Sequence, residues 1–171
     1  MKQLYLGIAI TSVLLSPAYA VVEGETSTIH FTGKIVESTC SLNNPEGQHI
    51  DLGTISASTF HQANITSQEK EFSIQLDDCD PTTYTNARIT FQGDTVNGNT
   101  QLNVTGGATN LGLQILEGST PLALDGSSSS ASKTLGPGTN TFDFKTRYIS
   151  LDNTVGAGDA NANVKFTVEY P

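Results

Sequence analysis

Cys40 and Cys79 are the most reactive side chains in the sequence, and their compartment decides whether they do redox chemistry, hold a metal or close a loop. Lys2, an apolar run over residues 8–15 and the small-x-small triplet Ala18-Tyr19-Ala20 mark residues 1–20 as a removable secretory signal, with an apolar core too short to anchor in a membrane. Export carries both thiols into an oxidising setting. There an even count favours a disulfide over a free thiol or a metal site, and no third cysteine competes for either partner. In the chain-entropy account such a bond contributes on the order of 4 kcal/mol.

The other candidate chemistries lack a supporting pattern. His30, His49 and His61 have no H-x-x-x-H or related spacing, so surface or edge histidines are expected rather than metal ligands. Asp77, Asp78 and Asp80 could offer carboxylates to calcium, but without the alternating oxygen ligands and glycine of a calcium loop they read as the charged end of a strand. The single Gly156-Ala157-Gly158-Asp159 has no neighbouring copies to build a repeat site and reads as a tight turn. Asn64-Ile65-Thr66 and Asn103-Val104-Thr105 match a glycosylation pattern that is short and common by chance. There is no G-x-S-x-G elbow and no phosphate-binding glycine loop, so no catalytic residue, metal or cofactor is expected. The net charge of −9 loses only Lys2 when the leader goes, and so few scattered cations argue against a nucleic-acid partner.

The chain that carries these residues is written in strands. Phe72, Ile74 and Leu76 alternate ahead of an acidic run expected to stop that strand. Further strands are expected over residues 87–91, 101–105, 111–116, 121–124 and 141–150, with a short extended stretch at 49–53 that puts Ile50 and Leu52 on one face. Turn or loop chemistry fills residues 93–98, 106–107, 125–132 and 155–161. No sustained helical period occurs. The last element alternates Ala162, Val164, Phe166, Val168 and Tyr170 against polar residues, and the sequence stops at Pro171, so the edge beside it would be long, apolar and in need of cover. This pattern predicts an all-β, antiparallel, immunoglobulin-like sandwich, without the usual core tryptophan.

One strand breaks its own pattern. In residues 28–40, Ile29, Phe31, Gly33 and Ile35 share a face, whereas Val36, Ser38 and Cys40 fall in the opposite register. Either a β-bulge sits near Ile35 and Val36, or the two halves pack against different things. Residues 21–27, polar and acidic, read as a mobile arm before it.

Taken in order, HFTGKIVESTC, FSIQLDDCD, TNLGLQIL, LALDG, GTNTFDFKTRY and GAGDANANVKFTVEY, with both cysteines and a penultimate Tyr170, resemble the chaperone–usher pilins, and within them the major subunits of type 1 fimbriae. The serine run at residues 127–130 is the least typical part. The resemblance implies an incomplete immunoglobulin-like fold lacking its last strand, with residues 1–20 a signal peptide, 21–35 a donor-strand arm and 36–171 the pilin domain. It implies that Ile29, Phe31, Gly33 and Ile35 fill a neighbour's groove, and that Val164, Phe166, Val168 and Tyr170 line the groove and face the chaperone. The parity switch then marks a change of host, and Gly33 sits where a missing side chain lets the donor strand lie close. The implied partners are copies of the chain itself, a periplasmic chaperone, an outer-membrane usher and other fimbrial subunits including a tip adhesin. The implied location is a surface fimbrium of a Gram-negative bacterium, reached through the periplasm. A minor pilin or an adaptor or adhesive binding subunit of the same kind of fibre is the alternative.

Overall fold

The structure, a computed structural model, describes residues 27–33 and 40–171. The chain divides after residue 35 into two units. Ten strands form among the described residues of the larger unit, the long ones on alternating apolar side chains along extended backbone. They are β1 (Ser41–Leu42), β2 (Lys70–Cys79), β3 (Asn86–Gly93), β4 (Leu102–Asn103), β5 (Leu111–Glu117), β6 (Thr120–Pro121), β7 (Asp125–Ser129), β8 (Lys133–Thr134), β9 (Gly138–Ser150) and β10 (Val164–Glu169). The only helical turn among the described residues is a 3-10 turn, Ala57–Thr59, capped by the Ser56 side chain.

All the ladders are antiparallel. One sheet runs β1-β2-β9-β5-β4, with β6 on β5; the other runs β10-β3-β7, with β8 on β3. Register sets the core. Phe72 lies opposite Phe144 and Ile74 opposite Phe142, so the inward faces of β2 and β9 meet as cross-strand apolar pairs. Ala87, Ile89 and Phe91 of β3 close the core from the other sheet. Phe91 meets Phe144 edge-on at 5.2 Å between ring centroids, which ties the two sheets together. The result is an immunoglobulin-like sandwich in which β10 pairs with β3 on one side and with no strand on its other side among the described residues.

Several expectations need correction. Asp77 and Asp78 lie within β2, which shifts register after Leu76 and ends at Cys79, directly before Asp80 and Pro81. That irregularity puts Asp78 at a φ of 53°, in the left-handed region. Residues 125–129, expected as a loop, form β7, because Thr90 and Gln92 of β3 supply a ladder partner that polar composition does not forbid. The strand expected over residues 121–124 shrinks to β6, Thr120–Pro121, and that over 101–105 to β4. Residues 156–159 do not make an isolated tight turn. They bridge to residues 107 and 109, so closely that a Cβ on Gly158 would lie 2.3 Å from the carbonyl carbon of Gly107.

The Asp78 carboxylate is exposed and has no hydrogen bond among the described residues, so no described contact offsets its backbone strain. Asp78→Gly should therefore stabilise the subunit by about 0.5–1 kcal/mol, read as a rise in melting temperature of about 1–4 °C. An unchanged or lower melting temperature would show that this backbone is held without strain.

Candidate functional site

The site begins with β10. Its polar side chains Lys165 and Thr167 point outward, while Val164, Phe166, Val168 and Tyr170 are only half-buried although they pack against the core. The second wall is a stretch without regular structure. Residues 49–53 form no strand, contrary to expectation, yet Ile50 and Leu52 are half-buried and Asp51 between them is exposed, so the expected facing holds without a ladder. Asn43 N–H donates to Gln75 O and the Gln48 side chain to Ser73 O, after which no main-chain group of residues 49–55 bonds to another main-chain group among the described residues.

Between these walls lies a cleft of about 1100 Å³, with Phe72 and Ile74 of β2, Ile115 of β5 and Thr146 and Tyr148 of β9 along it. A second hollow of about 500 Å³ lies further along β10, where Leu42 and Leu76 face Val168 and Tyr170. Both rims of the larger cleft thus offer backbone without a ladder partner among the described residues, and both hollows expose apolar side chains. An extended strand is the object that satisfies both needs at once, by ladder bonds along its edges and alternate side chains inward.

The disulfide joins Cys40 to Cys79, 39 residues apart, beside the smaller hollow. Asp77 reinforces the same corner: Asn43, Gln75 and Thr139 all donate to its carboxylate, and these bonds hold its pKa below the ordinary carboxylate value. On β10, Glu169 accepts from Thr90 at 2.7 Å and from Arg88 at 2.7 Å, which lowers its pKa likewise and fastens β10 to β3. A depressed carboxylate adds stability above its unfolded pKa and loses it as pH falls through its folded pKa. Thermal stability should therefore be flat from neutral pH down to about pH 5 and decline below the ordinary carboxylate range. Asp77→Asn with Glu169→Gln should make that decline shallower in a melting series across acid pH; an undiminished slope would assign it to other carboxylates.

The remaining candidates stand apart. In the smaller unit Ile29 is 75 % and Phe31 90 % exposed, and residues 27–33, the described part of the stretch expected as a strand, form none, because a strand needs a ladder partner. A Cβ on Gly33 would meet nothing within 4 Å. Ile35, Val36 and Ser38, with the parity switch between them, lie outside the described residues, as do residues 1–26 with the signal and most of the arm. Among the histidines, His30 is exposed, His49 borders the larger cleft and the ring of His61 bonds to Thr59 O. Among the described residues no three of His, Cys, Asp and Glu converge as metal ligands would.

Sequence reasoning did not name the far wall of the cleft. Phe142, Phe144, Thr146 and Tyr148 alternate in sequence and could have been assigned one inward face, but nothing local says that Thr146 and Tyr148 on it border a cleft.

The described geometry has counterparts. Residues 29–171 match the family model described as "Fimbrial protein". The chain is 36% identical to a type-1 fimbrial protein, A chain, of Escherichia coli, covering 96% of this chain and 92% of that one. It is 37% identical to a fimbrial subunit type 1 of Klebsiella pneumoniae, over 99% of this chain and 100% of that one. Among solved structures, the P pilus rod subunit PapA superposes with a TM-score of 0.70 at 25% identity, covering 78% of this chain and 100% of PapA.

Proposed function

Because the chain belongs to the fimbrial protein family, as a structural subunit of a bacterial surface fimbria, we propose that it polymerises by lending residues 29–35 as a strand to the cleft of the next copy. The observation that carries this reading is a complementary pair of defects. The larger unit has a partly apolar cleft whose rims carry backbone without a ladder partner among the described residues, and the smaller unit has exposed Ile29 and Phe31 on a stretch that likewise has no ladder partner among the described residues. Each defect is a liability for a lone subunit, since exposed apolar surface and an open sheet edge invite non-specific association. Each supplies what the other lacks.

Residues 1–20 direct export, and the oxidising periplasm closes the Cys40–Cys79 bond. A periplasmic chaperone covers Val164, Phe166, Val168 and Tyr170 until an outer-membrane usher exchanges it for the donor strand of a neighbour. Other fimbrial subunits, a tip adhesin among them, join the same fibre by the same exchange. The role is mechanical, and the subunit does no chemistry once its disulfide is made.

Co-expression with a cognate chaperone and usher tests this directly. The expected result is a higher yield of soluble subunit with the chaperone alone, and long uniform fibres on the cell surface with both. A lone monomer as soluble and as stable as the chaperone complex would overturn the reading.

A further inference from the structure

β3 passes into β4 through a short connection closed by Val96 N–H, which donates to Gln101 O. Two consecutive residues of this connection have left-handed backbone, Asn97 with a φ of 57° and Gly98 with a φ of 115°. Asparagine and glycine tolerate such backbone with the least strain, so the turn accounts for the pair. It does not account for the chemistry the pair brings. Both residues are exposed, and among the described residues neither the Asn97 carboxamide nor Gly98 N–H has a hydrogen-bond partner. A Cβ on Gly98 would meet nothing within 4 Å. An electrophilic carboxamide carbon therefore stands next in the chain to an unhindered main-chain nitrogen, and neither residue makes a described bond that opposes the rotation needed to join them. No other asparagine combines these features. Asn97 alone is followed by glycine, Asn44 precedes Pro45, which has no N–H, and the N–H after Asn64 donates to Ser150 Oγ. The carboxamides of Asn103, Asn110 and Asn140 donate to Asp94, to Thr154 O and to Gly136 O.

We propose that Asn97 and Gly98 form a self-modifying site, at which the folded chain converts to aspartate and isoaspartate with water as the only co-reactant. The main-chain nitrogen of Gly98 attacks Asn97 Cγ. The new C–N bond closes a five-membered succinimide, the Cγ–Nδ2 bond breaks, and ammonia leaves with the proton that Gly98 gave up. Water then opens the ring at one of its two carbonyls. Opening at Cγ restores the main chain and leaves aspartate; opening at the main-chain carbonyl leaves isoaspartate, which carries one more methylene in the backbone. Nothing is oxidised or reduced, and each event adds one negative charge. The site is independent of strand donation. Its consequence falls on β7, because Asn99 O accepts from Leu124 N–H at 2.6 Å and the Asn99 side chain donates to Ser127 Oγ at 3.4 Å. A longer backbone one residue away loosens this clasp on the start of β7.

The test ages the intact exported subunit in mildly alkaline buffer, where more of the attacking nitrogen is deprotonated, made with ordinary water or with heavy-oxygen water. The expected result is the mass gain of exchanging an amide NH2 for OH, confined at first to the peptide that carries Asn97, with one heavy oxygen taken up there. Methyl transfer by an isoaspartate methyltransferase should rise in step. Asn97→Gly, which accepts the same left-handed backbone, should abolish all three signals. Hydrogen exchange at the Leu124 amide should be faster in aged than in fresh protein, and unchanged in freshly made Asn97→Asp, which carries the charge without the extra methylene. Aged protein in which Asn97 stays intact while other asparagines convert, or signals that survive Asn97→Gly, would overturn the inference. Equal Leu124 exchange in aged and fresh protein would overturn its consequence for β7.

Discussion

A subunit from which residues 21–33 have been deleted should still accept a strand from its neighbour but have none to give, so it should cap fibres and stop their growth. Mixed with wild type, it should shorten fibres in proportion to its share. The point variant Phe31→Ala isolates the principal anchor. Phe31 is 90 % exposed in the free chain, so truncating it takes nothing from the subunit's own core. Buried in a neighbour's cleft, the same ring would be worth about 3–5 kcal/mol per junction, enough to reduce a long polymer to short oligomers. The expected outcome is therefore a chaperone-bound monomer with wild-type stability and fibres that are few and short in electron micrographs. Unfolding of that monomer by Phe31→Ala would place Phe31 in its own core and return residues 28–40 to the bulged-strand alternative.

The second large effect is covalent. Cys40→Ser or Cys79→Ser should cost about 2–5 kcal/mol, and little soluble subunit should accumulate. The open cleft is why the loss should be felt so strongly. An uncompleted sandwich has less buried apolar area to draw on, and the bond pins β1 to the end of β2 where the smaller hollow already interrupts the core. Filling the cleft should return part of that stability, so chaperone co-expression should rescue the cysteine variants partly. Intact mass before and after reduction reports the bond itself, and two free thiols in exported wild-type protein would contradict it.

Much of the fold was legible in the sequence because strand alternation is a local code. Phe72, Ile74 and Leu76, or Val164, Phe166 and Val168, declare an inward face whatever lies opposite. The leader pattern of residues 1–20 likewise pointed to export, and two lone cysteines in that setting to a single cross-link, before any coordinates. Residues 125–129 defeated the same code, since their polar side chains carry no alternation and only the backbone of β3 makes them a strand. Residues 49–53 defeated it the other way: Ile50 and Leu52 alternate as a strand should, yet no ladder forms.

What the sequence determined by itself was thus the set of faces: which side chains point inward on each strand of the larger unit. What only the tertiary structure decided was where those faces lack a cover. Whether a ladder edge is paired and whether a cleft stays open beside β10 both depend on segments tens of residues away. The reason is that a side chain's orientation follows from its own φ and ψ, whereas hydrogen-bond pairing and burial are properties of two pieces of chain at once.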